Sequence, residues 1–355
     1  MELVYTGEDS PKKMVKSIFL AGPTPRSKNV QSWRPEALRI LEEKKFAGTV
    51  FVPEFRGGAG SKIYNEHTGF AWETKGLNQS DCIVFWVPRN LKTLPGFTTN
   101  VEFGLWVRSG KCILGAPPKK KHIDYLKKHA GENKTPFLET LEEIIEKALL
   151  FVGDGVIREE GECNIPFFIW NTPSFQHWYA MQKHVGNRID GAQVVWNSPI
   201  HPKTKISYFW LLRANVYVAA EKRNKFNEVV FGRPSISSVV LYKRENDIMK
   251  SKVILVREFR SPGASKDGYV HDLPGGSSVS IQDPIACAAE EVAEETGLQL
   301  TINRFSFHGA RQLIAPLSVH KAEVFSAELT NEELEWFHTQ EGVMRGLGGE
   351  QGSGE

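Results

Sequence analysis

An α/β chain of two domains is what this sequence predicts, on three observations. Between residues 17 and 118, apolar runs of strand length alternate with helical patterns, and such alternation builds a parallel sheet covered by helices. Between residues 276 and 298, GSSVSIQDPIACAAEEVAEETGL sets Glu290, Glu291, Glu294 and Glu295 on one short helix of an unrelated pattern. At 355 residues, the chain exceeds what a single hydrophobic core usually organises.

The first half reads as follows. SIFLAGPTP (17–25) is a buried-type strand running into a Gly-Pro turn, and a helix follows from about Ser32 to Lys44. TVFVPEF (49–55) is a second strand, FAWETKGLNQS (70–80) a short helix, and DCIVFWVP (81–88) a strongly apolar third strand. TTNVEFGLWVRSG (98–110) is a helix and KCILGAPP (111–118) a fourth strand. A three-layer parallel sheet is expected, with its ligand outside the carboxyl ends of the strands. Gly22, Pro23, Glu73 and Glu102 fall at those ends.

FLAGPT, WE, SDCIVFWVP and the T-x2-EFG piece of TTNVEFG come in the order found in the nucleoside 2-deoxyribosyltransferase family, which includes nucleotide N-glycosidases. Residues of about 15–130 thus resemble that family, and the resemblance implies a flavodoxin-like fold. It also implies that Glu102 is the nucleophile, attacking the anomeric carbon and holding the sugar as a glycosyl ester. Glu73 falls where the family has an acid that positions the sugar or shuttles a proton to the base. Two carboxylates flanking a glycosidic bond suit a retaining reaction. Glu102, near a helix N-terminus, is expected to stay ionised at neutral pH. Two features depart from the family: the 89–97 loop holds no acid, and Phe19 replaces a Tyr. The plainer reading makes Glu102 a dipole-stabilising residue and Glu73 a surface residue beside a buried Trp72.

LETLEEIIEKALLF (138–151) has helical spacing and ends the first domain, placed at 1–150. GDGVIREEGE (153–162) reads as a flexible, charged linker within 151–164, and the second domain runs over 165–355. An aromatic-rich helix from Ser174 to His184 and strands at 189–197 and 206–220 make 165–215 an extension of that second domain and a candidate homodimer interface.

On the acidic helix, positions i, i+3 and i+4 share a face, so Glu291, Glu294 and Glu295 can converge outside it. Such oxygen ligands suit a hard cation, Mg2+ or Mn2+, with waters and substrate phosphates completing its shell. Asp283-Pro284 gives the start signal and Gly297 the stop. The segment resembles the Nudix box, G-x5-E-x7-R-E-U-x-E-E-x-G-U, where U is aliphatic. Gly276, Glu291, Val292, Glu294, Glu295, Gly297 and Leu298 fit in register, whereas Gln282 stands in place of the first Glu and Glu290 in place of the Arg. A like charge at 290 is expected to raise local repulsion. VILVREFRSP (253–262) and HDLPGG (271–276) are similar to the ADP-ribose and nucleoside-diphosphate-sugar pyrophosphatase branch. That similarity implies an α/β/α domain with a mixed sheet, Mg2+ held by Glu291, Glu294 and Glu295, and a catalytic role for Glu294. It also implies bidentate contacts from Arg257 and Arg260 to a diphosphate.

HKAEVFSAEL (320–329) supplies one more strand and EELEWFH (332–338) a helix, after which 342–355 is Gly-rich. The second domain is therefore expected to lack its last elements, and Glu341 and Glu350 are the nearest candidates for an extra catalytic Glu. With 44 basic and 42 acidic residues, the whole-chain field favours neither nucleic acid nor membrane. Cys82, Cys112, Cys163 and Cys287 lack metal-ligand spacing, which predicts reduced thiols in the cytoplasm. The longest apolar runs are strand-sized, so no membrane span is expected. The sequence thus predicts a cytoplasmic, nucleotide-metabolising enzyme that acts on small nucleoside or nucleotide substrates. The alternative is a nucleotide-binding sensor, in which the altered box keeps the pocket without turnover.

Overall fold

A computed structural model describes residues 1–25, 27, 29–57, 66–201, 206–277, 283–340 and 342–343. Gln282, Glu341 and Glu350 lie outside the described residues. The chain divides into two compact units, Met1–Val230 and Phe231–Glu355.

The first unit opens with β1 (Glu2–Tyr5), β2 (Lys13–Met14), β3 (Ser17–Ala21), α1 (Arg34–Glu43), β4 (Thr49–Val52) and α2 (Glu66–Gln79). It continues with β5 (Cys82–Trp86), α3 (Phe97–Trp106), β6 (Cys112–Gly115), α4 (Asp124–Glu132), β7 (Phe137–Leu138) and α5 (Leu141–Val152). Among the described residues, six strands form one parallel sheet in the order β1-β4-β3-β5-β6-β7. Every residue of β3, β4, β5 and β6 is buried, because helices cover both faces. Phe19, Phe51, Ile83, Phe85 and Leu114 point to one face, where Trp72 of α2, Phe103 of α3 and Leu126 of α4 meet them. Ile18, Leu20, Val50, Val84 and Ile113 point to the other, against Ile40 and Leu41 of α1 and Ile145 and Ala148 of α5. Leaving β1 aside, β4-β3-β5-β6-β7 is the flavodoxin-like order 2-1-3-4-5, whose switch point lies between β3 and β5.

Residues 153–162 differ from the flexible linker expected of them. β8 (Arg158–Glu159) pairs with β2, and the fully buried Arg158 guanidinium forks onto Asp81 at 2.8 and 2.7 Å. Arg158 also donates to the Ile165 carbonyl at 2.6 Å, and Asp81 accepts from both N and Oγ of Ser17. A Gly-rich, charged stretch reads as solvated; here one of its charges has a buried partner 77 residues earlier.

The unit ends with α6 (Phe167–Trp170), α7 (Pro173–His184), β9 (Arg188–Asn197), β10 (Trp210–Val218) and β11 (Arg223–Gly232). These three strands form a separate sheet, β11-β10-β9. Residues 165–230, read above as part of the second domain, therefore fall within the first unit. The physical reason is contact at the junction: Phe167 packs on the core face of α1 and α5 and under the Arg158 guanidinium at 4.2 Å, and the Asn78 amide of α2 donates to the Ala192 carbonyl of β9 at 3.2 Å.

The second unit contains β12 (Ile236–Lys243), β13 (Lys252–Val253), β14 (Val256–Phe259), β15 (Tyr269–Asp272) and β16 (Gly275–Gly276). It closes with α8 (Pro284–Thr296), β17 (Ser306–Gln312), β18 (Lys321–Glu328) and α9 (Asn331–Thr339). Its sheet, β13-β12-β18-β17, is mixed: β12 and β18 run parallel, whereas β13 and β17 are antiparallel to their neighbours. The strand expected at 253–262 is split, since β13 joins that sheet while β14 pairs with β15. Ala288 and Val292 of α8 pack with Val239, Leu241 and Phe325. α8 starts and stops where the sequence signals it: Asp283 Oδ1 accepts from Ile285 N, and Gly297 takes the left-handed conformation at φ +79°. The architecture is thus α/β in both units, with a parallel sheet first and mixed sheets after it.

Candidate active site

At the switch point, β3 runs into Gly22, whose φ of +148° and contact with Trp86 O leave no room for a Cβ. Arg34, only 1% exposed at the start of α1, holds this turn. Its Nε donates to Leu20 O at 3.0 Å, Nη2 to Gly22 O at 2.7 Å, and Nη1 to Glu54 Oε1 at 2.7 Å. Gly96, left-handed at φ +65°, brings the start of α3 against Pro23. The buried Arg89 guanidinium fixes that approach by donating to Gly96 O at 3.4 Å, to Asn100 Oδ1 and to His122 O.

Glu73 of α2 and Glu102 of α3 line one cleft of about 730 Å3. Phe70, Leu105, Trp106, Phe168 and Trp196 form its apolar walls. Gly22 and Pro23 are not part of the lining; they shape the turn that Arg34 holds. Both carboxyls are half-buried. Burial raises the pKa of Glu73, with Arg34 opposing. Burial, and then the Glu73 charge, push Glu102 up to about 7, and Arg34 again opposes. The expectation that Glu102 stays fully ionised at neutral pH is thereby corrected. It lies beyond the first turn of α3, where the dipole effect has faded and desolvation wins. Lys111 also reaches the cleft, but its ammonium closes the end of α2 by donating to the carbonyls of Leu77, Asn78 and Ser80 at 2.6, 3.0 and 2.8 Å. Burial lowers its pKa to about 8.

Sequence reasoning missed Arg34, Glu54 and Arg89. For Arg34 a signal existed: it shares the spacing of Ala37 and Leu41 on the apolar stripe of α1, and a charge on such a stripe needs a buried partner.

In the second unit, Glu295 Oε2 accepts from Gly275 N at 3.1 Å, and the Glu291 carboxylate lies so close to Gly276 that a Cβ there would fall 2.5 Å from it. Gly275 and Gly276 thus seat the two half-buried carboxylates. Burial, followed by the charges of Glu295, Glu294 and Glu290, pushes Glu291 up to about 7. Glu290, in the Arg position, adds to the repulsion, and Glu294 is exposed. Burial raises Glu295, and the hydrogen bond from Gly275 pulls it back. Among the described residues, no three His, Cys, Asp or Glu side chains are gathered to hold a metal ion. Glu291 and Glu295 remain a donor set that fits Mg2+, which takes one or two direct carboxylates. Arg260 bonds Glu258 at 2.6 Å and lies 3.7 Å from Asp272, and its charge reaches Glu295. Arg257 is not brought to this group: it bonds Asp267 at 2.6 Å and covers the Tyr269 ring.

All four cysteines are buried, and none is in a disulfide. Among the described residues, no helix is long and apolar enough to cross a membrane. No curated protein matches the chain. A crystal structure of an ADP compounds hydrolase is similar to it at 17% identity and a TM-score of 0.29, over 40% of this chain and 66% of that one, just under two thirds of the latter. The family model for nucleoside 2-deoxyribosyltransferase like proteins matches residues 15–120. That segment, which holds the switch point, Glu73 and Glu102, is thus similar to the nucleoside 2-deoxyribosyltransferase-like family, and the similarity supports an N-terminal domain of that kind.

Proposed function

We propose that the first unit cleaves or transfers the N-glycosidic bond of a nucleoside or nucleotide, with Glu102 as nucleophile and Glu73 as its acid partner. One observation carries the reading: two half-buried carboxyls share an aromatic-walled cleft beside the buried Arg34 guanidinium. Burial and mutual repulsion keep a proton on the pair near neutral pH, so one carboxyl is an anion while the other is an acid. The Glu102 carboxylate attacks C1′ as the C1′–N bond breaks. The electron pair of that bond leaves with the base, which takes the proton of Glu73. Water or a second base then attacks the glycosyl ester at the same carbon, its proton passes to Glu73, and Glu102 is freed as carboxylate. Arg34 holds the turn and offsets the negative charge of the pair. Glu102→Ala is expected to reduce the release of free base from nucleosides and nucleotides to the uncatalysed background. Release at the wild-type rate from that variant would remove Glu102 from the reaction.

For the second unit we propose hydrolysis of the diphosphate of a nucleoside diphosphate derivative, of the ADP-ribose kind. What supports it is the pair of carboxylates seated on Gly275 and Gly276. Glu291 and Glu295 would hold Mg2+ or Mn2+, Glu294 stands next to them at the surface, and Arg260, rather than Arg257, is near enough to meet the diphosphate. A bound Mg2+ neutralises diphosphate charge and makes an attacking water more acidic. Glu295→Gln is expected to lower Mg2+-dependent turnover by about 100-fold or more. A wild type that turns over no nucleoside diphosphate derivative with Mg2+ or Mn2+ would favour the sensor reading instead.

A further inference from the structure

The cleft around Glu73 and Glu102 has one wall that lies outside the 15–120 segment. Gln193, Val194, Val195, Trp196 and Asn197 of β9 all line it. β9 is an edge strand of its sheet, and its pairing with β10 slips between Leu211 and Leu212, which leaves Val195 as an extra, bulged residue between Val194 and Trp196. A bulge bends an edge strand and re-aims the side chains beside it. The wall is held in place as well. Asn78 ties Ala192 to α2, and Gly161 packs on the backbone of Asp190 and Gly191 so closely that no Cβ would fit.

The chemistry of this wall is specific. Trp196 is 53% exposed, and it shares the cleft with Phe70 and Leu105, which are 50% and 73% exposed. A large indole left to solvent inside a concave, apolar-walled cleft is a surface suited to a flat ligand. Gln193 also lines an adjoining cavity of about 520 Å3 together with Phe70, Thr74, Asn78 and Trp106. Among the described residues, neither its amide nor the Trp196 indole N–H has a hydrogen-bond partner. An amide presents a donor and an acceptor side by side, the pattern that reads the edge of a nucleobase, and every base has a face that stacks on an aromatic ring.

We propose that Gln193 and Trp196 form the nucleobase-recognition wall of the Glu73–Glu102 cleft, Trp196 stacking on the base and Gln193 bonding its edge. The proposal rests on the N-glycosidic reading of that cleft and adds the element that selects the base. A nucleoside then bridges two parts of the chain, its sugar carbon at the α2–α3 carboxyls and its base on β9.

The test is calorimetric titration of the full-length chain with free adenine, guanine, cytosine and thymine, run beside an assay of base release from the matching nucleosides. The wild type is expected to bind at least one base. Trp196→Ala should weaken that binding about 10- to 100-fold, as loss of one stacking partner does. Trp196→Phe, which keeps a flat ring, should restore most of it, a rescue that a purely structural role would not need. Gln193→Ala, at an exposed position, should change the order of preference among the four bases. A wild type that binds none of them, or Trp196→Ala and Gln193→Ala proteins that bind each with wild-type affinity, would overturn the proposal. Base binding that depends on both residues without any base release would leave the wall standing and sink the N-glycosidic reading. Base release with unaltered affinities in both variants would do the reverse.

Discussion

Glu102 and Glu73 are coupled because each is half-buried and the charge of Glu73 acts on Glu102. The carboxyl of Glu102 is raised from 4.5 to about 7, and as a nucleophile it works only when ionised. The leaving base needs the proton that the pair still shares, and that proton is lost as the pH climbs through about 7, so base release should fall above it. The Glu73 charge is one cause of that rise in pKa, so its removal favours the anion at Glu102. In Glu73→Gln, where no shared proton remains to be lost, the fall in rate above about pH 7 should disappear, even as the maximum rate drops for want of the acid. A fall that stays in place would show that the proton lost there is not shared between the two carboxyls. Residues with a motif around them, such as Gly22 and Glu102, were legible in the sequence. Arg34 was not read, since a buried charge is recognised by its partner, and Glu54 lies 20 residues away.

At the scale of elements, the Asp81–Arg158 pair joins the start of β5 to β8 and decides whether 153–162 is a linker or a strap. Both side chains are fully buried, so removing Arg158 leaves the Asp81 carboxylate with its Ser17 hydrogen bonds but without the guanidinium that balances its charge. Arg158→Met is expected to cost about 3–5 kcal/mol of stability, which urea or thermal melting would register as a clear drop in midpoint. An unchanged midpoint would mean that the strap is not tied to the sheet. The elements themselves were largely legible: α1, α2, α3, β5, β6, α7 and α8 fall within a few residues of their predicted spans, because apolar period and cap signals are local. The strap and the β9 wall were not legible. Both depend on contacts across long sequence separations, Asp81 to Arg158 and Asn78 to Ala192, that no local pattern announces.

For the whole molecule, two units were expected from length and pattern, and two are found, with the division between Val230 and Phe231 rather than near residue 165. The aromatic composition of α6 and α7 suits either neighbour, and the shift has its physical origin in Phe167, which packs on the core of the first unit and under Arg158, and in the Asn78–Ala192 bond. Each unit carries its own group of half-buried carboxylates, and the two chemistries proposed for them, breaking a glycosidic bond and breaking a diphosphate, both dismantle nucleotides. The central claim is that Glu102 forms the covalent intermediate of the first. Its most direct measurement is peptide mass spectrometry of the full-length protein after reaction with a 2′-fluoro nucleoside, whose glycosyl ester breaks down slowly. The account predicts one added glycosyl mass on the peptide that contains Glu102 and none in Glu102→Ala. A protein that releases base from this substrate while the Glu102 peptide stays unmodified, or carries the mass on another residue, would contradict it.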